Sequence, residues 1–195
     1  MKKLLLAVTI ISLTQIACTS HQKKIIVYAS NDIRVDNSQK NIKVTEGSTH
    51  NEKELDFAGS EPVQLSIESP AGNFKADAGE DGLYILNLKN DTVVGSLQHV
   101  GAQSTNRITH EEMEQQADSI AKLLTGQNVS AANKNYFVPP GKMVKVTSVT
   151  GAKIFGPFTK IPASFDAGSV PELYKFYTNK EEREILSKLP SMHKE

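Results

Sequence analysis

The chain has one cysteine, Cys18, and no tryptophan. A lone thiol excludes an intramolecular disulfide, so any fold must be held by packing alone. An excess of positive charge is also missing. The 22 basic and 22 acidic residues balance, and without clustered Lys and Arg no nucleic acid is expected as a partner. The chain contains no Gly-x-Ser-x-Gly, no Gly-x-Gly-x-x-Gly and no phosphate loop ending in Gly-Lys-Ser or Gly-Lys-Thr. Gly141-Lys142 is followed by Met143, and Tyr136 stands where the first glycine of such a loop belongs. Neither an enzyme of a familiar class nor a bound cofactor is expected.

The longest apolar run, residues 4–17, follows Lys2 and Lys3 and is interrupted only by Thr9, Ser12, Thr14 and Gln15. As a helix it would extend about 21 Å, short of the roughly 30 Å hydrocarbon layer. A basic start, a short apolar stretch and a small residue at its end make a secretory signal, residues 1–17, that guides export and is then removed. With Lys2 and Lys3 gone the balance turns slightly acidic. The remainder suffices for one large domain or two small ones, and the 38% of hydrophobic residues in the whole sequence suits a globular body.

Ending in Gln15-Ile16-Ala17-Cys18, the signal resembles those of bacterial lipoproteins. Ala17 and Ile16 agree with the family's lipobox, whereas polar Gln15 occupies a position usually held by Leu. The resemblance implies a diacylglycerol on the Cys18 thiol and cleavage before it, with residues 18–23 as a lipid-proximal spacer. A buried methylene contributes about 0.8 kcal/mol, so two or three acyl chains anchor almost permanently. Family habits also suggest the location. No Asp follows Cys18, which points to the outer membrane, and no acidic cluster follows either, which points to its periplasmic face. The competing reading is an ordinary secreted protein cut after Ala17 or Ser20.

Beyond the spacer, short alternating runs separated by turn residues predict strands over 25–28, 33–35, 42–45, 63–67, 74–78, 83–88 and 93–97. The run 83–88 is apolar on both faces, which suggests a central strand. Asp81-Gly82 suits a hairpin turn. An α+β fold is therefore expected: an N-terminal antiparallel β-sandwich over 24–100, then a smaller α+β part over 108–190. In the second part Met113, Ala117, Ile120 and Leu124 form one helical stripe, with Thr109 and Glu112 placed as a capping box and Gly126 as the stop. Pro139-Pro140-Gly141-Lys142 suits a type II turn flanked by strands. Residues 143–149 and 152–155 read as a hairpin, and Ser169 with Pro171-Glu172 reads as a helix start leading into 173–177. A last helix from about 179 to 189 would be capped by Thr178 or Asn179, with Ile185 and Leu189 facing inward.

Candidate sites are sparse. His110-Glu111 begins like the zinc motif His-Glu-x-x-His, but residue 114 is Glu, and helix-start acids explain the pair better. Asp77 to Gly82 resembles half of a calcium loop whose remaining positions fail, leaving an acidic turn. Eight of the twelve Phe and Tyr residues fall between Tyr136 and Tyr177. They can supply a core or, if exposed, a groove; Tyr136, Phe155, Phe158 and Tyr174 are the candidate binding aromatics, with Lys153 and Lys160 nearby. The expectation is a non-enzymatic binding or scaffolding module, tethered to the membrane, that touches another envelope protein or a glycan of the wall. The alternative is an unfamiliar envelope hydrolase whose site forms only in the fold.

Overall fold

The computed structural model describes residues 21–36, 38, 40–98, 110–149, 151–161 and 171–188. Cys18, Thr109 and Leu189 lie outside the described residues, and no side-chain position is described for Ile185. The described chain is rich in β-structure, with twelve strands in three four-stranded sheets and two helices. The strands are β1 (Gln22–Ser30), β2 (Ile33–Asp36), β3 (Asn41–Val44), β4 (His50–Ala58), β5 (Val63–Ser69), β6 (Gly72–Ala78), β7 (Gly82–Leu88), β8 (Val93–Gln98), β9 (Asn135–Val138), β10 (Met143–Thr147), β11 (Lys153–Phe155) and β12 (Leu173–Thr178). The helices are α1 (His110–Leu124) and α2 (Asn179–Lys188).

The central sheet runs β10-β7-β1-β4, and its two middle strands explain its position. In β1, Ile25, Val27 and Ala29 enter one apolar cluster while Ile26 and Tyr28 enter another. In β7, Tyr84, Leu86 and Leu88 join the first cluster, and Leu83 and Ile85 the second. Strands apolar on both faces are stable only when both are covered. The sheet β2-β3-β5-β6 covers one face with Ile42, Leu65 and Ile67, and the sheet β11-β12-β8-β9 covers the other with Val93, Tyr136, Tyr174 and Phe176. The far side of β8 carries Val94, against which Leu123 and Leu124 of α1 pack.

Several sequence-based expectations are corrected. No sheet is purely antiparallel, because β1 with β7, β3 with β5 and β11 with β12 are parallel pairs. Asp81-Gly82 is not a hairpin turn, since β6 and β7 belong to different sheets. Nor do β10 and β11 form a hairpin: β10 lies antiparallel to β7, and β11 lies parallel to β12. Residues 173–178 form strand β12 rather than a helix, because Tyr174 and Phe176 alternate into the core. β4 was not anticipated. Strands from both sides of residue 100 share sheets, with β10 joining the central sheet and β8 lying between β9 and β12.

The helix ends follow local chemistry. Gln127 N–H donates to the Lys122 carbonyl (2.8 Å) and Gly126 N–H to that of Leu123 (3.0 Å), with Gly126 at φ 74°, the Schellman arrangement that closes α1. Thr178 caps α2. Glu181 N–H donates to Thr178 Oγ1 (3.2 Å) and Thr178 N–H to the Glu181 carboxylate (2.7 Å), which completes a capping box. The Pro139–Lys142 turn also forms as expected, with Gly141 at φ 72° and Lys142 N–H donating to the Pro139 carbonyl (3.2 Å).

Candidate functional site

Two of the four candidate aromatics are core residues. Tyr136 is 4% exposed and Tyr174 is fully buried, with their rings edge to face at 5.8 Å. Strand alternation on β9 and β12 points both inward, so neither offers a ring face to a ligand. Both border a cleft of about 400 Å³ that is also lined by Lys134, Lys145, Thr147 and Glu172. There Tyr136 donates to the Val146 carbonyl. The Glu172 carboxylate accepts from Tyr174 (2.9 Å), Thr147 (3.0 Å) and Lys134. The hydrogen bond from Lys134, joined by those from Tyr174 and Thr147, holds that carboxyl below its ordinary range, while burial pushes the Tyr174 phenol far up. The acid is thus ionised and engaged on three sides.

Phe155 is half-buried on β11. Phe158 differs from the other three: it is 73% exposed, at the tip of a short turn after β11. Lys175 of β12, only 8% exposed, sends its ammonium beneath this turn, where it donates to the carbonyls of Gly156, Pro157 and Thr159, all within 3.3 Å. Burial holds the Lys175 amine below the ordinary lysine range, against an opposing pull from Glu52. A buried ammonium is costly unless it is hydrogen-bonded, and here the three carbonyls meet that requirement.

The turn rests on β4. His50 lies edge-on between Phe158 (ring centroids 5.4 Å apart) and buried Tyr28 (5.3 Å), and its Nε2 is 2.6 Å from a Glu52 oxygen. Strand register sets this grouping: Ser30 pairs with His50 and Tyr28 with Glu52, so the side chains at 28, 30, 50 and 52 share one face of the sheet. A Cβ on Gly156 would collide with the Glu52 carboxylate, which shows how tightly the turn sits on that acid. The Tyr28 hydroxyl and His50 Nδ1 are buried and have no hydrogen-bond partner among the described residues. Burial first, then Glu52 and Glu181, push the Tyr28 phenol upward. In the sequence His50 reads as one of several scattered surface histidines, whereas its side chain is only 13% exposed, and Glu52 and Lys175 are given no role. The available signal was His50-x-Glu52, polar residues on one face of a strand whose other face carries Leu55 and Phe57.

The remaining sequence candidates resolve more simply. Asp81 bonds to His21 and Lys23, with His21 the main influence holding its carboxyl low, and Asp77 accepts from Gln64 (2.8 Å). The acidic turn thus spends its carboxylates on protein partners. Among the described residues no group of three or more His, Cys, Asp or Glu side chains is placed to hold a metal ion, and no helix is long and apolar enough to cross a membrane. No protein-family model, curated protein or solved structure matches the chain.

Proposed function

We propose that the chain is an envelope lipoprotein tethered through Cys18 at the outer membrane and facing the periplasm. In this reading residues 24–100 contribute a β-sandwich to a body that acts as a binding or scaffolding module for another envelope protein or a wall polymer. The observation that carries the binding role is the Phe158 turn, an exposed aromatic ring held in place by a buried lysine. Ordering a contact residue before its ligand arrives reduces the entropy lost on binding.

The alternative hydrolase would need a free base beside a nucleophile. Glu172, the acid of the polar cleft, already accepts from three donors.

The test is crosslinking and affinity capture of the tethered protein from native membranes, comparing the wild type with Cys18→Ala and Phe158→Ala. Loss of the same partners in both variants supports a tethered binding module. Substrate turnover by the purified mature protein, abolished by changing one cleft residue, would overturn it.

A further inference from the structure

The Phe158 turn has features that select among ligand classes. Its ring stands alone: among the described residues the other exposed large hydrophobics are Val129 and Val149. A stable protein–protein interface covers about 800 Å² per partner and centres on several buried anchors. One ring surrounded by polar groups makes a poor centre for such a patch.

A sugar ring makes different demands. It presents a C–H face that stacks on an aromatic ring, and equatorial hydroxyls that donate to carboxylates. Beside Phe158 the surface supplies this combination. The Glu52 carboxylate lies one imidazole away from the phenyl ring and is partly open to solvent, with 29% side-chain exposure. One of its oxygens contacts His50, leaving acceptor capacity on the carboxylate. Thr159 and Lys160, both exposed, continue the polar rim. The carboxylate, an acceptor only, also matches the hydroxyl donors of a neutral sugar better than the acceptor oxygens of an acidic one. Rigidity completes the case, because Lys175 gathers three carbonyls of the turn and Gly156 allows the turn to seat directly on Glu52.

We infer that Phe158, His50 and Glu52 form a binding site for a neutral saccharide unit of a wall polymer, with Phe158 as the stacking platform and Glu52 as the hydroxyl acceptor. This rests on the binding-module reading and narrows its ligand to carbohydrate.

The test uses the full mature chain titrated with a β-1,4-linked N-acetylglucosamine tetramer, followed by amide chemical-shift changes and by calorimetry. Expected are shifts centred on residues 50–52 and 156–160, at least a tenfold loss of affinity in Phe158→Ala, and a smaller loss of about threefold to tenfold in Glu52→Gln. Phe158→Ala should keep the wild-type melting temperature, because the ring it removes is mostly in water. Absence of saturable binding, or binding that Phe158→Ala leaves intact, overturns the saccharide site. Should Phe158→Ala abolish capture of a protein partner while the tetramer never binds, the saccharide site falls and the binding-module reading stands. Should it affect neither, both fall.

Discussion

Replacing Lys175 with Met tests whether a buried ammonium orders the Phe158 turn. Methionine matches most of the aliphatic stem, so the packing of β12 changes little, while the carbonyls of Gly156, Pro157 and Thr159 lose their common donor. A hydrogen bond to a charged group contributes about 1.5–3 kcal/mol. Three of them do not simply add, because removing the ammonium also removes its desolvation cost and the exposed end of the turn regains water. We expect a net loss of about 2–4 kcal/mol, or roughly 5–15 °C in melting temperature for a protein of this size. The pH dependence should change as well. The folded chain holds the Lys175 proton more weakly than the unfolded chain, so the wild type gains stability as pH rises between the depressed folded value and the ordinary lysine value. Lys175→Met lacks that contribution. Hydrogen exchange resolves the local effect, since amides of residues 156–160 should exchange faster while those of β7 follow global stability. An unchanged melting temperature together with unchanged exchange across the turn would refute the reasoning.

Three further outcomes can be checked by thermal melts. One Glu182 oxygen is buried without a partner among the described residues, and burial, with Glu181 behind it, pushes the carboxyl pKa up; the resulting stability is full below the ordinary glutamate value and lost as pH rises through the elevated one. Glu182→Gln should therefore raise the melting temperature by about 2–4 °C near pH 7.5 and leave it unchanged near pH 4; a gain of equal size at both would contradict this. Gly95→Ala would drive a methyl group into the buried Phe176 ring and should cost about 1–3 kcal/mol, so wild-type stability would show that the β8–β12 packing is wrong. Burial drives the Lys89 amine below its ordinary range despite Glu181, Glu52 and Asp91 around it; Lys89→Met should be neutral or stabilising by about 1 kcal/mol at neutral pH, and a marked loss would mean those carboxylates depend on it.

The elements legible in the sequence are those with a local cause. The run 83–88 points to a doubly covered strand because both faces are apolar except at Asn87, and β7 is buried throughout. Thr178 with Glu181 three residues later is a complete capping signal, and α2 begins there. β4 escaped notice because an edge strand needs only one apolar face; Leu55 and Phe57 supply it among four charged residues. Those charges also suit a strand that ends its sheet among the described residues, where they disfavour pairing with other chains. Pro171-Glu172 imitates a helix start ahead of β12, although the alternation of Tyr174 and Phe176 around Lys175 is the stronger pattern. The pairing of β7 with both β1 and β10 had no local cue, since it depends on which distant faces meet. Among the aromatics, composition could not separate surface from core. Strand period could: Tyr136 and Tyr174 occupy inward positions, whereas Phe158 follows Pro157 in a break between strands.

The interleaving of the two halves decides whether the candidate site can exist. His50 and Glu52 come from β4, early in the chain, and Phe158 and Lys175 come from residues far downstream. A division near residue 100 would place them in separate bodies free to move apart. The pairings of β10 with β7 and of β8 with β9 and β12 prevent that, because detaching either half would strip one face of the central sheet and expose Ile26, Tyr28 and Ile85 to water. At about 1.5–3 kcal/mol for each large apolar side chain, that exposure exceeds what a single inter-domain contact could restrain. The ring, the imidazole and the carboxylate are therefore carried on elements that share one core.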